Sequence, residues 1–295
     1  MDVLLSGQLA FSVAVLGAVY AVVGLGLNLV YGTMRLLNVG HGELVMLGAY
    51  VAFWGFTLAG LSPLLGAPVA ALLAALLGLA LYGGLFRRML EADGAGGRLE
   101  ANSLLVFLGL SVVLQNASAL AFTASPRAIR HLDEVIRVGG VAMTENRLAI
   151  LLVAVAACAG TILLLRLGIH GLAIKALIDN RRAARIVGVD VDRTQRLSIA
   201  LGFGLAGLAG ALLAMIEQIS PFMGFPYTVA AFVVIVLGGL GRLAGGVAAG
   251  FVLAAVQVYG VALTAPTYAS VLLYGVFVAV LVLRPQGMAG ARARP

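Results

Sequence analysis

The sequence predicts an all-α integral membrane protein, a polytopic helical bundle of about eight to nine transmembrane spans forming one domain over residues 1–295. Three observations carry that reading. Hydrophobic residues make up 62% of the chain and charged residues only 11%, a balance that no soluble domain can bury. The apolar stretches are continuous rather than alternating, which excludes the in-out pattern of a transmembrane barrel. The remaining charges cluster in short segments between those stretches, above all in residues 166–196.

Taken in order, residues 3–34 carry no charge and place span 1 at about 9–31, closed by Arg35. The amino terminus, Met1-Asp2, lacks a basic region, so this first apolar segment is expected to be retained rather than cleaved. Span 2 is placed at about 42–60, with Asn38, His41 and Glu43 just before it or in its first turn. Residues 44–86 are again uncharged and too long for one helix; Pro63 and Pro68 mark a tight turn, and span 3 follows at about 67–86. A polar loop from Arg87 to Glu100 leads to span 4 at about 104–122, and span 5 is placed at about 148–166. The segment between them, with Pro126 and Gly139-Gly140, reads as irregular. Spans 6 to 9 are expected at about 197–218, 227–241, 246–264 and 267–284. The seventh is short for a crossing, which implies tilt, burial in protein, or continuity with the glycine-rich turn that follows.

Orientation follows from the cations. With nine spans and the amino terminus outside, Arg35, Arg87, Arg88, Arg98, Arg242, Arg284, Arg292, Arg294 and the cations of residues 166–196 fall on the cytosolic side. Only Arg127, Arg130, Arg137 and Arg147 fall outside. The positive-inside rule strongly favours this arrangement, with a cytosolic carboxyl terminus. The polar island at 166–196 holds Arg166, Lys175, Arg181, Arg182, Arg185, Arg193 and Arg196, opposed by Asp179, Asp190 and Asp192. Its middle, residues 172–187, has helical periodicity, with Ile174, Leu177, Ile178, Ala184 and Val187 on one apolar face and Gly188 as the stop. A short amphipathic helix of this kind either docks a soluble partner or lies on anionic lipid.

Few residues carry chemistry. Intramembrane ionisable groups are costly and tend to face a cavity or a partner. Asn38 is expected to cap span 2. His41 and Glu43, two apart on a helix, do not face each other, which argues against a charge pair and a helical metal motif. The stretch reads either as a glycine-rich helix entry or as a gate at the cytosolic mouth. Glu217, near the external end of span 6, reads as an outer-vestibule residue or as a side chain reaching the headgroups. Gly238, Gly239 and Gly241 do not form a nucleotide loop, since no strand precedes them and no lysine follows. Close helix packing is the better account, as for the small-residue pairs Ala206/Gly210 and Gly246/Gly250. Cys158 sits mid-span without a local partner. No catalytic residue, metal site or bound cofactor is expected, and the basic balance belongs to membrane loops rather than to nucleic-acid binding.

Four stretches resemble one family. Residues 17–50 (GAVYAVVGLGLNLVYGTMRLLNVGHGELVMLGAY), 171–193 (GLAIKALIDNRRAARIVGVDVDR), 221–250 (PFMGFPYTVAAFVVIVLGGLGRLAGGVAAG) and 283–290 (LRPQGMAG) together resemble the LivH-type permeases of branched-chain amino acid ABC importers. The departures are at Val39, Gly40 and Asn180, where the family often has an aromatic residue, an alanine and an acidic residue. The resemblance implies an ABC importer permease fold in the bacterial inner membrane. It implies a homologous second permease, a different chain, as partner. Two cytosolic ATPase subunits would carry ATP and magnesium, and an extracytoplasmic binding protein would deliver the solute.

The resemblance makes about residues 167–196 a cytosolic coupling loop, with Lys175, Asp179, Arg181, Ala184, Arg185 and Gly188 at the ATPase contact. It places Asn38, His41 and Glu43 near the translocation path or its inner gate, with Gly238, Gly239 and Gly241 allowing close helix approach there; Glu217 joins them as a path candidate through its position alone. Branched-chain amino acids compete there with urea, short amides and other small organic solutes. Two other classes remain open: an ion-coupled secondary transporter, for which His41, Glu43 and Glu217 offer a sparse relay, and a purely structural subunit of a heteromeric pore.

Overall fold

The computed structural model describes residues 6–92, 99–138 and 140–283; Arg98, Gly139, Arg284, Arg292, Arg294 and the motif that follows Leu283 lie outside the described residues. The first helix, α1 (Gly7–Met34), is apolar on every face, as a helix must be when protein surrounds it. From Gly17 to Met34 every residue is buried. Ser6 caps its start by accepting from the Leu9 amide, and Arg35 ends it in the left-handed conformation (φ 57°), its amide donating to the Tyr31 carbonyl at 2.7 Å.

Against α1 pack α9 (Val191–Leu213), α10 (Gly224–Gly238) and α11 (Leu243–Leu263), and α2 (His41–Ala59) and α3 (Pro63–Leu81) pack on α9 in turn. Glycine brings α1, α2, α3 and α9 into backbone contact. A Cβ at Gly202 would stand 2.6 Å from the Gly26 carbonyl oxygen, and one at Gly207 would stand 2.6 Å from that of Ala70. A Cβ at Gly210 would overlap the Val45 carbonyl. The expected small-residue packing is thus present, and Gly250 packs likewise on Ala21 of α1.

The nine apolar segments all become helices, with two classes of length. Seven helices are long and apolar enough to cross a membrane among the described residues, including α5 (Leu99–Phe122) and α6 (Glu145–Leu167). Two are shorter, α10 and α12 (Ala269–Leu283) with its preceding turn. The short seventh segment is explained by burial: ten of the residues of α10 are enclosed by protein. Pro63 and Pro68 do not both mark the turn. Pro63 is the first residue of α3, where its missing N–H costs nothing, and Pro68 lies inside the helix, which forgoes the bond to the Leu64 carbonyl there. The third span is also longer than expected, continuing through a π-helical turn (Tyr82–Phe86) into α4 (Arg87–Ala92).

The segment between spans 4 and 5 is not wholly irregular. Strands β1 (Val135–Val138) and β2 (Val141–Thr144) form an antiparallel hairpin, with Val138 opposite Val141. A Gly-Gly pair between two short β-prone runs is a hairpin signal.

The two ends of the bundle differ in charge as the cation count predicts. At one end stand Arg35, Arg87, Arg242 and the polar island, tied by Tyr82 Oη donating to Asp192 (2.9 Å), Gln195 donating to the Thr33 carbonyl (3.4 Å) and Tyr31 Oη donating to Glu100 (3.0 Å). At the other lie the hairpin, Arg127 paired through backbone with Ile219, and Asn146 donating to the Met215 carbonyl.

Candidate functional site

The polar centre of the molecule lies where α2 begins, and it begins deep inside the bundle. His41 Nε2 is 3.1 Å from the carbonyl oxygen of Val23. Val23 precedes the end of α1 by eleven residues, about 16 Å along the axis. Residues 35–40 therefore climb back from the charged end in non-helical form. They track α5: the Leu37 amide donates to Ser103 Oγ at 3.0 Å, and Gly40 packs on the Phe107 carbonyl and Ser111. Such backbone is stable at membrane depth only when protein satisfies it. Thr228 of α10 does so twice, donating to the Val39 carbonyl (3.1 Å) and accepting from the Gly42 amide (2.8 Å).

The same position receives a second helix start. Gly224, the first residue of α10, touches Gly42: a Cβ at Gly224 would meet the Gly42 carbonyl oxygen at 2.6 Å and Glu43 Oε2 at 2.9 Å. Two helix amino termini thus meet in the protein interior, and Glu43 lies between them. Glu43 Oε1 accepts from Ser111 Oγ (3.0 Å) and Gln115 Nε2 (2.7 Å), both on α5. Glu43 Oε2, His41 Nδ1 and Asn38 Nδ2 are buried with no hydrogen-bond partner among the described residues.

Several expectations change here. Asn38 does not cap α2; the cap position is Gly40, and no side chain caps there. Asn38, His41 and Glu43 are not at the cytosolic mouth but enclosed at depth, at 1%, 0% and 0% exposure. His41 and Glu43 do diverge as their spacing predicts, one toward α1 and the other toward α5. Glu217 is not part of this cluster. It lies after α9 at an exposed position, with Arg147 near enough to act on its carboxylate. Gly238, Gly239 and Gly241 are also elsewhere, at the turn from α10 to α11. Gly238 packs on Gly245 and Gly246 (2.5 Å to a Cβ), while Gly239 and Gly241 hold φ of 93° and 79°.

That turn is fastened by Asn28 of α1. Its Oδ1 accepts from the Gly241 amide at 2.8 Å and its Nδ2 donates to the Arg242 carbonyl at 3.2 Å. Sequence alone does not single out Asn28, Ser111, Gln115 or Thr228. Each is one polar residue in an apolar helix, and only its long-range partner distinguishes it.

The polar island forms two helices, not one: α7 (Ile169–Asp179) and α8 (Arg181–Ile186). Asn180 breaks the run and its side chain caps α8, accepting from the amides of Arg182 (2.9 Å) and Ala183 (3.0 Å). Gly188 is left-handed (φ 86°), as a helix stop requires. The break corrects the apolar face. Ile174, Leu177 and Ala184 are buried, but Val187 is 76% exposed. Ala184 packs inward on Leu177 and Val191, so it seats α8 and does not belong to an outer contact. Asp179, Arg182, Arg185 and Gly188 are exposed, and Lys175 and Arg181 half-buried. Burial, then the neighbouring Arg185, lowers the pKa of the Arg181 guanidinium. Two clefts flank the pair: one of about 720 Å³ beside α7 and the start of α9, and one of about 630 Å³ lined by Arg181, Arg182, Arg185, Arg87, Glu91 and Asp192. On the inner side, Ile178 packs on Gly32 and Gly241, joining α7 to α1 and to the Asn28 turn.

Cys158 is buried and free, and the described residues hold no cluster of three metal-ligating side chains. A many-helix membrane bundle with interrupted spans around a polar interior, and an amphipathic helix pair at one end, has the build of a transport permease. The chain belongs to the family described as the branched-chain amino acid transport system permease component, whose profile matches residues 9–281. It is 28% identical to the high-affinity branched-chain amino acid transport system permease protein BraD of Pseudomonas aeruginosa, over 93% of this chain and 92% of that protein. It is 26% identical to LivH of Escherichia coli over 96% of this chain and 95% of that one. It is also 26% identical to LivM of Escherichia coli, over 94% of this chain and 69% of that one. No solved structure matches.

Proposed function

We propose that this chain is one half of the membrane pathway of an ATP-driven importer of branched-chain amino acids. The observation that carries the coupling is the seat of α7 and α8. They present exposed cations outward while Ile178 reaches through Gly32 and Gly241 to the turn that Asn28 holds. A rigid-body push on α7 would therefore reach α1 and the turn between α10 and α11 directly. Lys175, Asp179, Arg181, Arg185 and Gly188 meet one of two ATPase subunits, which supply ATP and magnesium. Asn38, His41 and Glu43 lie on the path. The island faces the cytosol and the amino terminus faces outward, in the inner membrane of a bacterial cell, where an extracytoplasmic binding protein hands over the solute.

The second permease is a paralogue in this reading. The support is that the chain resembles two differently named permeases of the Escherichia coli high-affinity system, LivH and LivM.

The test is Arg185→Glu in the reconstituted complex. Arg185 is exposed and makes no ion pair among the described residues, so the chain should insert and assemble normally. Leucine uptake should fall at least about tenfold per ATP hydrolysed, the cost of placing a like charge against a partner selected for the opposite one. Wild-type uptake per ATP in this variant would remove α8 from the coupling contact.

A further inference from the structure

Helix α10 is bounded by glycine at both ends and is almost free of polar atoms. Tyr227 and Thr228 carry its only polar side chains, and neither end has a side-chain cap. At one end Gly224 rides on Gly42; at the other Gly238 rides on Gly245 and Gly246. Glycine backbones in contact have no side chains to interlock, so each end is free to shift against its neighbour.

The middle of the helix is pinned instead. Val234 is fully buried between α1 and α11. A Cβ at Gly24 would stand 2.9 Å from Val234 Cβ, and one at Gly246 would stand 4.0 Å from its Cγ1. Counted from Val234, Gly238 is one turn away, about 6 Å, and Gly224 lies on the other side at about 15 Å. A rod that rocks at this pin moves roughly two to three times farther at Gly224 than at Gly238.

The short arm ends in the turn that α7 and α1 grip together. Ile178 of α7 packs on Gly241 and on Gly32, and Gly32 lies one helical turn beyond Asn28 on the same face of α1. The long arm carries Thr228, 1% exposed. Its hydroxyl satisfies the Val39 carbonyl and the Gly42 amide at once, and so ties α10 to the segment that holds Asn38, His41 and Glu43.

We infer that α10 is a lever that pivots where Val234 seats on α1, and that Thr228 is the positioning residue through which its long arm moves residues 39–42. The inference rests on the importer reading and deepens it by carrying the motion of α7 to the polar centre. When the turn shifts, Gly224 slides on Gly42 in the opposite sense, and the hydroxyl draws the Val39 carbonyl and the Gly42 amide along.

The first test is a double-mutant cycle in the full complex in proteoliposomes, read as leucine taken up per ATP hydrolysed. Thr228→Val removes the tether on the long arm, and Asn28→Ala frees the turn on the short arm. Each should lower the ratio about tenfold, the worth of two hydrogen bonds. On one shared route the double variant should fall no further than the worse single, whereas independent lesions multiply to about a hundredfold. Thr228→Ser keeps the hydroxyl and should stay within about twofold of the wild type. A multiplied loss, or a wild-type ratio in Thr228→Val, overturns the lever. A loss in Thr228→Ser equal to that in Thr228→Val assigns the effect to shape and overturns the role of the hydroxyl.

The second test needs neither variant. In a Cys158→Ala background, nitroxides replace the exposed Phe225 and Leu240 beside the two ends of α10, each paired with a reference label on α6, at Leu152 and Leu163 respectively. ATP binding to the complex should change both distances. A change at Leu240 with none at Phe225, or no change at either, overturns the lever. A wild-type complex that hydrolyses ATP yet takes up no aliphatic amino acid overturns the importer reading instead, and the two distances still decide whether α10 rocks.

Discussion

Helices α9 and α5 have nearly the same length, 23 and 24 residues, and nearly the same hydropathy, 1.7 and 1.9. Yet 16 of the 23 residues of α9 are buried inside the chain, against four of the 24 of α5. In water, burial and hydropathy would rise together. In a bilayer lipid is as apolar as leucine, so what selects a central helix is small residues that let backbones touch. Helix α9 has Gly202, Gly207 and Gly210 against α1, α3 and α2. Helix α5 instead meets the bundle through a sparse stripe, Ser103, Phe107, Ser111 and Ser118, and through the bonds from Ser111 and Gln115 to Glu43. One helix is fixed by backbone contact, and the other is held by a few polar bonds across a seam.

The sharpest way to break this comparison is Gly210→Leu. Its Cβ would land on the Val45 carbonyl, and neither helix can yield without parting. The expected result is loss of nearly all folded chain from mild-detergent extracts, a drop of at least about tenfold given the size of such overpacking penalties. Normal recovery would show that α9 is not the fixed element.

On the α5 side, Ser111→Ala combined with Gln115→Leu removes both donors from Glu43 but leaves the backbone contacts alone. Extraction yield should hold, whereas leucine uptake should fall about tenfold, because an uncompensated buried carboxylate reorganises its surroundings. A loss of yield equal to that of Gly210→Leu would erase the distinction between the two helices.

The smallest effect is expected at Gly109. It lies on α5, and a Cβ there would meet nothing within 4 Å. Gly109→Ala should therefore raise stability by about 0.5–1 kcal/mol through helix propensity alone, read as a later unfolding midpoint in detergent. A destabilising result would reveal a partner surface pressed close at that point.

What the sequence made legible was governed by local rules. Charge-free runs located the helices, the cations sorted the two ends, and Gly188 stopped α8 where a left-handed residue is needed. The break at Asn180 escaped because the apolar spacing of Ile174, Leu177 and Ala184 continues through it, and a capping asparagine leaves no mark on periodicity. The hairpin was signalled by its Gly-Gly pair but is too short for its alternation to stand out. Depth was not legible at all. That α2 begins level with Val23, inside the bundle, depends on Ser103, Ser111 and Thr228, which come from other helices far along the chain. For the same reason Asn38, His41 and Glu43 stood out while their partners did not. An ionisable side chain in hydrocarbon announces itself, and a lone serine or threonine does not.

The glycine contacts of α9 also set a clock. Gly26 waits for Gly202, Gly48 for Gly207 and Val45 for Gly210, so the first three spans reach the bilayer well before the ribosome delivers the helix that locks them. At about 5–20 residues per second the interval is on the order of ten seconds. Through it, their backbone-deep grooves stand open to lipid and to one another. A nascent chain released early, or a neighbour inserted meanwhile, meets those grooves unfilled, which makes the wait for α9 the interval in which this protein is most exposed to quality control.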